Sequence, residues 1–544
     1  MSKTKWYARP IYLVVALALV LSLGIVALPM AGTVEAHPGT IQVDVNDASC
    51  VASPQGDPYS VVYCSIQDAI DDATAGDTIN VAAGTYNLTA PIVVNKSVTL
   101  ISDTGNYRTT GTILTGKMRI ILADSASSAT IQGFRFENIA SDVEFVSICA
   151  NSITIQANSF NNIVSCGAII LSRYGSENTI IQDNSFKDIV GHAVAMYSGC
   201  NDTGWHIIGN KIDGVTGTGN KSGFQLFGLS DSEISNNEIS NCTIYAGMLL
   251  DGLDNVVISD NIIKNTYRKG IQVANSSDVV IDNNYITNTN TSEKPDEGAI
   301  SIYPDVSNIR IVNNTLVANY QGFTVRDKAG AVASDVHVNF NNIYGNDGFG
   351  TGNFAKGGGM VDATCNWWGA ADGPSEQGSG SGDAVSTNVE FAPWLTGPFS
   401  MFHIDHAKMD FKKKPNDDKV DVRGRLGSSL TCGRDVQSLE LVTVTVGPLS
   451  DTITMELKGK EGEKWEYKRP KDDGGIIKHM TINWKNGKFD IRMDKADLTG
   501  VTNPVTISIQ IGDDLGQETI TMNEKKHHWD YKAPHPAPHP KKSA

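Results

Sequence analysis

The chain has no two cysteines spaced as a CxxC pair, so it offers no zinc-ligand set of that kind. Beyond its first thirty or so residues it has no apolar run long enough to cross a membrane. It has no excess of basic charge. The net charge is −16 over 544 residues, which argues against nucleic acid as a partner, repels polyuronate chains and tolerates cations. The acidity is uneven: residues 1–398 carry 20 basic against 38 acidic groups, and residues from Phe399 onward carry 24 against 22. Through the middle of the chain, helical spacing of apolar residues is missing as well. A chain of this length needs either several domains or a core that grows by repetition.

What is present begins with an export-type segment. Lys3, Lys5 and Arg9 precede an apolar run from Ile11 to about Leu28, and "VEA" ending at Ala36 reads as a cleavage site. The run is long for a signal peptide, so an uncleaved anchor is the alternative. Export permits disulfides. Eight cysteines allow 105 pairings. Cys50 and Cys64, with 13 residues between them, are the best local pair, while Cys149, Cys166 and Cys242 also read as small buried apolar residues.

The middle of the chain repeats itself. "SITIQANSFNNI" from Ser152 returns as "NTIIQDNSFKDI", "NVVISDNIIKNT", "DVVIDNNYITNT" and "NIRIVNNTLVAN". The recurring asparagines are Asn158, Asn184, Asn210, Asn237, Asn261, Asn284, Asn314 and Asn341, spaced by 23 to 30 residues. A near-fixed period of this size indicates a stacked array. Each copy holds two short β-like runs, one bearing the asparagine and one often led by a glycine, as at Gly223, Gly247, Gly270, Gly298 and Gly322. Inward Ile, Val, Leu and Phe side chains would supply the core, each worth roughly 1.5–3 kcal/mol when fully buried. The asparagines read as a structural ladder along the stack, not as a chemical site.

These repeats resemble those of right-handed parallel β-helix proteins of the pectate-lyase-like superfamily. Two flanking segments strengthen the resemblance. "SIQDAIDDATAGDTINVAAGTY" from Ser65 is similar to the start of exported members, where a short amphipathic helix caps the coil. "DATCNWWGAADGP" and "GSGDAVSTNVEFAPWL" resemble the closing segment of secreted β-helix proteins, and Trp367, Trp368 and Trp394 are expected to cap the last rung. The resemblance covers about residues 40–397 and implies three strands per turn over about 9–11 rungs. It says little about activity, because one fold hosts many functions. The acid motifs of polygalacturonases and mannuronan epimerases are missing.

One constellation stands out. Residues just before the repeated glycines should stack at one corner of the coil: Lys221, Tyr245, Arg268 with Lys269, Asp296 with Glu297, and Tyr320. Lys269, Glu297 and Asp296 are the candidate acid–base groups, and Tyr245, Arg268 and Tyr320 the candidate glycan contacts. The plainer reading is a solvated salt-bridge ladder of small energetic weight. Asp251 and Asp254, in "DGLDN", offer oxygen ligands of the type calcium takes; no other cofactor is evident.

The expected organisation is an export segment over 1–36, a β-helix over 37–397, an immunoglobulin-like antiparallel β-sandwich of about seven strands over 398–526, and a disordered His/Pro/Lys tail over 527–544. Trp465, Tyr467 and Trp484 read as core of the sandwich in preference to a sugar-stacking surface. The leading functional reading is an exported extracellular or cell-surface scaffold, non-catalytic, binding glycans or neighbouring surface proteins. A polysaccharide lyase or glycoside hydrolase acting along one face of the coil is the alternative. A third reading, resting on the repeats alone, is similarity to the periplasmic β-helix protein that matures the copper site of nitrous-oxide reductase.

Overall fold

The computed structural model describes residues 39–533, apart from 53–56, 198, 200, 304, 327–334, 356–358, 415, 434–439, 459–463 and 472. The expected export segment lies outside the described residues, as does the chain from 534 onward. No helix among the described residues is long and apolar enough to cross a membrane. The chain divides into two compact units, one containing residues 33–398 and the other residues 399–544.

The first unit is a right-handed parallel β-helix of about 11 turns. Three parallel ladders run its length. The first ladder takes Thr154–Gln156, Ile180–Gln182, His206–Ile208, Leu229–Ser235, Asp254–Ser259, Ser277–Asp282 and Ser307–Val312 in sequence order. The second ladder is carried by strands such as Glu238–Cys242, Ile262–Thr266 and Tyr285–Thr289. The third takes Phe224–Phe227, Ala246–Asp251, Lys269–Ala274, Ile300–Ile302 and Phe323–Val325. Equivalent side chains stack in register. In the second ladder Phe136, Phe160 and Phe186 lie one above another, with ring centroids 5.0 and 4.8 Å apart and near-parallel planes. Ile212, Ile239, Ile263, Ile286, Leu316 and Ile343 continue that column, all of them fully buried.

The corner between the first and second ladders explains the repeated motif. The residue before each ladder asparagine takes a left-handed backbone, as at Asp183, Asn236, Asp260, Asn283 and Asn313, with φ from 53 to 60°. Asn, Asp and Gly tolerate that region best. The asparagine that follows turns inward and is buried. Its Oδ1 accepts from the backbone N–H of the preceding turn's asparagine: Asn158 to Asn184, 3.0 Å; Asn210 to Asn237, 2.9 Å; Asn284 to Asn314, 2.8 Å. Its Nδ2 donates to the next asparagine and to a core-strand carbonyl. Every group is satisfied, as buried polar groups must be. A ninth member, Asn366 of "NWWG", accepts from Asn341 and ends the column on the carbonyls of Val338 and Ala363.

Apolar side chains are buried near both ends of the coil. At the start, the helix Ile66–Asp72 is capped by Ser65, whose Oγ accepts from the Asp68 N–H at 3.3 Å, and buries Ile66, Ala69 and Ile70. Lys96 Nζ closes its other end by donating to the carbonyls of Ile70, Asp71 and Ala73. Cys50 and Cys64 form a disulfide with Cα atoms 5.0 Å apart. At the far end, Trp368 is fully buried in the core, and Trp394 lies over Gly373, where a Cβ would meet the ring at 2.6 Å.

The second unit holds two antiparallel sheets around one core. The larger has eight strands in the spatial order 456–458, 464–468, 477–483, 488–496, 418–425, 403–410, 528–532 and 523–525. The smaller has four: 449–454, 441–446, 505–511 and 514–520. Among the described residues, twelve strands replace the expected seven. Residues 527–533 also depart from the expected disordered tail. His528–Lys532 pairs with His403–Asp410, and Trp529 and Tyr531 pack on the core. The aromatic pair lets a His- and Lys-rich stretch behave as a strand, paired on its other side with Asn523–Lys525. Trp465 is fully buried against Trp484, which places it in the core.

Candidate functional site

On the third ladder, the turns from Tyr245 to Arg326 gather long charged and aromatic side chains at both corners. Its strands are short, so long side chains rooted at both corners meet across the outer face, over Gln272, Ser301 and Thr324, all of them buried. The start corner supplies Tyr245, Arg268, Lys269, Asp296 and Glu297. The exit corner supplies Tyr303 and Arg326.

A glycine column makes the start corner tight. A Cβ on Gly270 would lie 2.5 Å from the Ala299 carbonyl oxygen and 2.6 Å from Ile286. Ala299, not Gly298, occupies the equivalent register position, because the preceding loop is longer in that turn.

Glu297 is the hub. Its carboxylate accepts from Arg268 through two nitrogens, from Arg326 Nη1 at 3.0 Å, and lies 3.2 Å from Lys269 Nζ. Lys269 Nζ also donates to Tyr245 Oη at 2.8 Å and to Gln272 Oε1 at 3.0 Å, so its three protons all have acceptors. Arg326 also donates to Asp296 Oδ2 at 2.6 Å and to the Tyr303 hydroxyl. The cations alternate with rings. Arg268 and Lys269 lie 4.8 and 4.3 Å from the Tyr245 centroid, and Lys269 and Arg326 lie 5.0 and 4.9 Å from that of Tyr303.

The electrostatics follow from burial. Lys269 and Glu297 have 0 % exposed side chains, whereas Arg268 and Arg326 keep 26 % and 21 %. Burial, with help from the two guanidinium groups, brings Lys269 down to about 8 against the pull of Glu297. Burial also raises the Tyr245 and Tyr303 hydroxyls. Three cations face two carboxylates, which leaves a local positive surplus on an acidic chain.

The expected pairing of Lys269 with Glu297 is therefore present, but not as a solvated ladder. Asp296 and Arg268 join the same network. Tyr320 does not: its side chain makes no polar contact among the described residues, and only its backbone is engaged, its N–H donating to the Thr289 carbonyl and its carbonyl accepting from the Gly348 N–H. Tyr303 and Arg326 were not anticipated, because they leave the glycine-led strand instead of preceding it. Their signal was a matched pair of long side chains one turn apart, at the ends of "SIY" and "FTVR". Lys221 lies elsewhere on the same ladder and bonds the carbonyls of Cys166 and Gly167.

Asp251 and Asp254 accept from Asn275 and Ser277 of the next turn, at 2.8 and 2.6 Å. No group of three or more His, Cys, Asp or Glu side chains placed to hold a metal ion occurs among the described residues.

Comparison with known proteins agrees with the fold. A family model described as a right-handed beta helix region matches residues 199–366, and one described as a protein of unknown function (DUF1565) matches residues 51–254. The first of these matches agrees with the right-handed parallel β-helix of the first unit. No curated protein matches it by sequence. Among solved structures it is similar to the Dettilon tailspike protein, at 12 % identity and TM-score 0.43, covering 88 % of this chain and 95 % of that one. It is also similar to the A-module of the Azotobacter vinelandii mannuronan C-5 epimerase AlgE6, at 13 % and 0.36, covering 65 % and 100 %. A third likeness is to the catalytic domain of a GH87 alpha-1,3-glucanase, at 15 % and 0.36, covering 67 % and 69 %.

Proposed function

We propose that the protein is an exported, non-catalytic scaffold that binds glycan on the third ladder of its β-helix, at the Arg268–Tyr245 and Arg326–Tyr303 pairs. One observation carries the reading. Lys269 and Glu297, the groups best suited to proton transfer, are consumed by the network: each Nζ proton has an acceptor, and the carboxylate has three cationic neighbours. What remains toward solvent is two guanidinium groups held against tyrosine rings, with the Asp296 carboxylate beside Arg326, a rigid surface of polar groups and apolar edges suited to sugar. The rigidity lowers the ordering cost of binding.

A second reading has its own support. A buried lysine at about 8, 2.8 Å from a tyrosine hydroxyl, has the make-up of a general base in a polysaccharide lyase. A calcium requirement would belong to this reading.

The test is a glycan screen on the purified protein, with calcium present and then chelated, scoring both depolymerisation and retention. Retention without turnover, lost in Arg268→Ala with Arg326→Ala, is the expected result. Turnover abolished by Lys269→Met would replace the scaffold reading with the lyase. Neither turnover nor retention would refute both.

A further inference from the structure

On the same ladder, toward the N-terminal end, the β-helix holds a cavity of about 310 Å³. Cys166, His192, Tyr197, Asn220, Lys221 and Gln225 are among its lining residues, and none of the lining residues is acidic. On a chain with a net charge of −16, a pocket without a carboxylate is an exception.

Two groups inside it are half-used. His192 is only 5 % exposed. Its Nδ1 accepts the Ser222 N–H at 3.1 Å, so the neutral ring must carry its proton on Nε2. Burial, then the nearby Lys221 charge, hold the imidazole down at about 3, so it stays neutral. Nε2–H has no hydrogen-bond partner among the described residues. Lys221 places two protons on the carbonyls of Cys166 and Gly167, at 3.0 and 3.3 Å, and has no carboxylate partner among the described residues. Its third proton is free. Both groups line one cavity, with the amides of Asn220 and Gln225 beside them.

We infer that this cavity is a carboxylate-binding pocket, in which Lys221 Nζ and His192 Nε2–H receive a single carboxylate and the two amides hold adjacent hydroxyls. The two sources of that chemistry are one acidic sugar unit and a free small organic acid. A polyuronate chain is disfavoured by the charge of the rest of the surface. The site goes beyond the glycan reading above and stands without it. Gln225 lies two register positions from Gln272, the residue that holds Lys269, or about 10 Å along the stack. A ligand in the pocket is therefore two turns from Gln272, with Tyr245 standing in the turn between.

Cys166 supplies the probe, because its thiol is free, exposed and part of the lining. Alkylation of Cys166 in the full chain would be followed with glucuronate, acetate or glucose present. Saturable protection by glucuronate, with none by glucose, is expected. Protection should weaken about 10- to 100-fold in Lys221→Met, the loss of one charge-assisted hydrogen bond. It should weaken in His192→Gln as well. Equal protection by acetate would support the pocket and assign the free acid as its ligand. Protection by glucuronate alone would support it and assign the sugar. Glucose protecting as well as glucuronate, or Lys221→Met leaving protection unchanged, would overturn the proposal. So would no protection by any of them into the millimolar range. Thermal melts of both variants guard against misfolding. If Lys221→Met melts early, Lys221→Gln takes its place.

Discussion

Two of the buried polar arrays in the β-helix differ in kind. The asparagine ladder is neutral, repeats in nearly every turn from Asn158 to Asn366, and satisfies each member with its neighbours. The Glu297 network is charged, occurs once, and draws on three cations and two tyrosines. The first can be extended by any number of turns. The second cannot, since no neighbouring turn supplies the same groups. In a repeat protein, what recurs is scaffold, and a buried departure from recurrence is where function should be sought.

The comparison can be broken at several points. Glu297→Ala should have the largest effect, because it leaves three cations without their hub. A loss of about 3–5 kcal/mol is expected, read as a lower denaturant midpoint for the β-helix. A ladder substitution should cost less. Asn237→Leu removes the acceptor of the Asn210 backbone N–H, and about 1–3 kcal/mol is expected for an orphaned buried group. If the ladder substitution cost more than the hub, the ranking of the two arrays would be wrong.

The pH dependence sharpens the contrast, since the ladder does not titrate. Lys269 sits at about 8 in the folded chain and at the ordinary 10.5 when unfolded. Between those values the unfolded chain holds a proton that the folded chain has lost. Stability from this group therefore rises from pH 8 to 10.5, and below pH 8 its burial is a constant penalty. The wild type should gain on Lys269→Met across that window in paired denaturation curves. A constant difference would mean that Lys269 is not depressed. The smallest effect belongs to the surface. Lys211 and Lys264 bridge Glu238 at 3.2 and 2.6 Å on the outside of the second ladder. Lys211→Ala should change stability by no more than about 0.5 kcal/mol.

Much of the scaffold was legible in the residues. The period, the inward columns and the ladder followed from short apolar runs punctuated by Asn, Asp and Gly, because parallel stacking repeats one local geometry in each turn. Asn366 kept the period but was overlooked, since Trp367 and Trp368 stand where the motif expects a small step and an aliphatic residue. The site was half legible. Residues preceding the glycines were found because the glycines mark a corner. Tyr303 and Arg326 mark no corner, and their meeting with Lys269 depends on how far long side chains reach across a short strand. Tyr320 shares the sequence position of Glu297 in the next turn, yet stays outside the network. His528–Lys532 was hidden for a different reason: its composition is that of a tail, and pairing with His403–Asp410 and Asn523–Lys525 makes it a strand.

The asparagine column also gives the molecule a direction. Each side-chain amide donates to the oxygen of the next turn's amide, never to that of the turn before. Nine amide dipoles therefore add along the axis, much as peptide units add along a helix. The coil is a polarised rod, with an acceptor facing its early turns and a donor closed off by carbonyls at Asn366. Its two ends are electrically unlike, although its middle repeats.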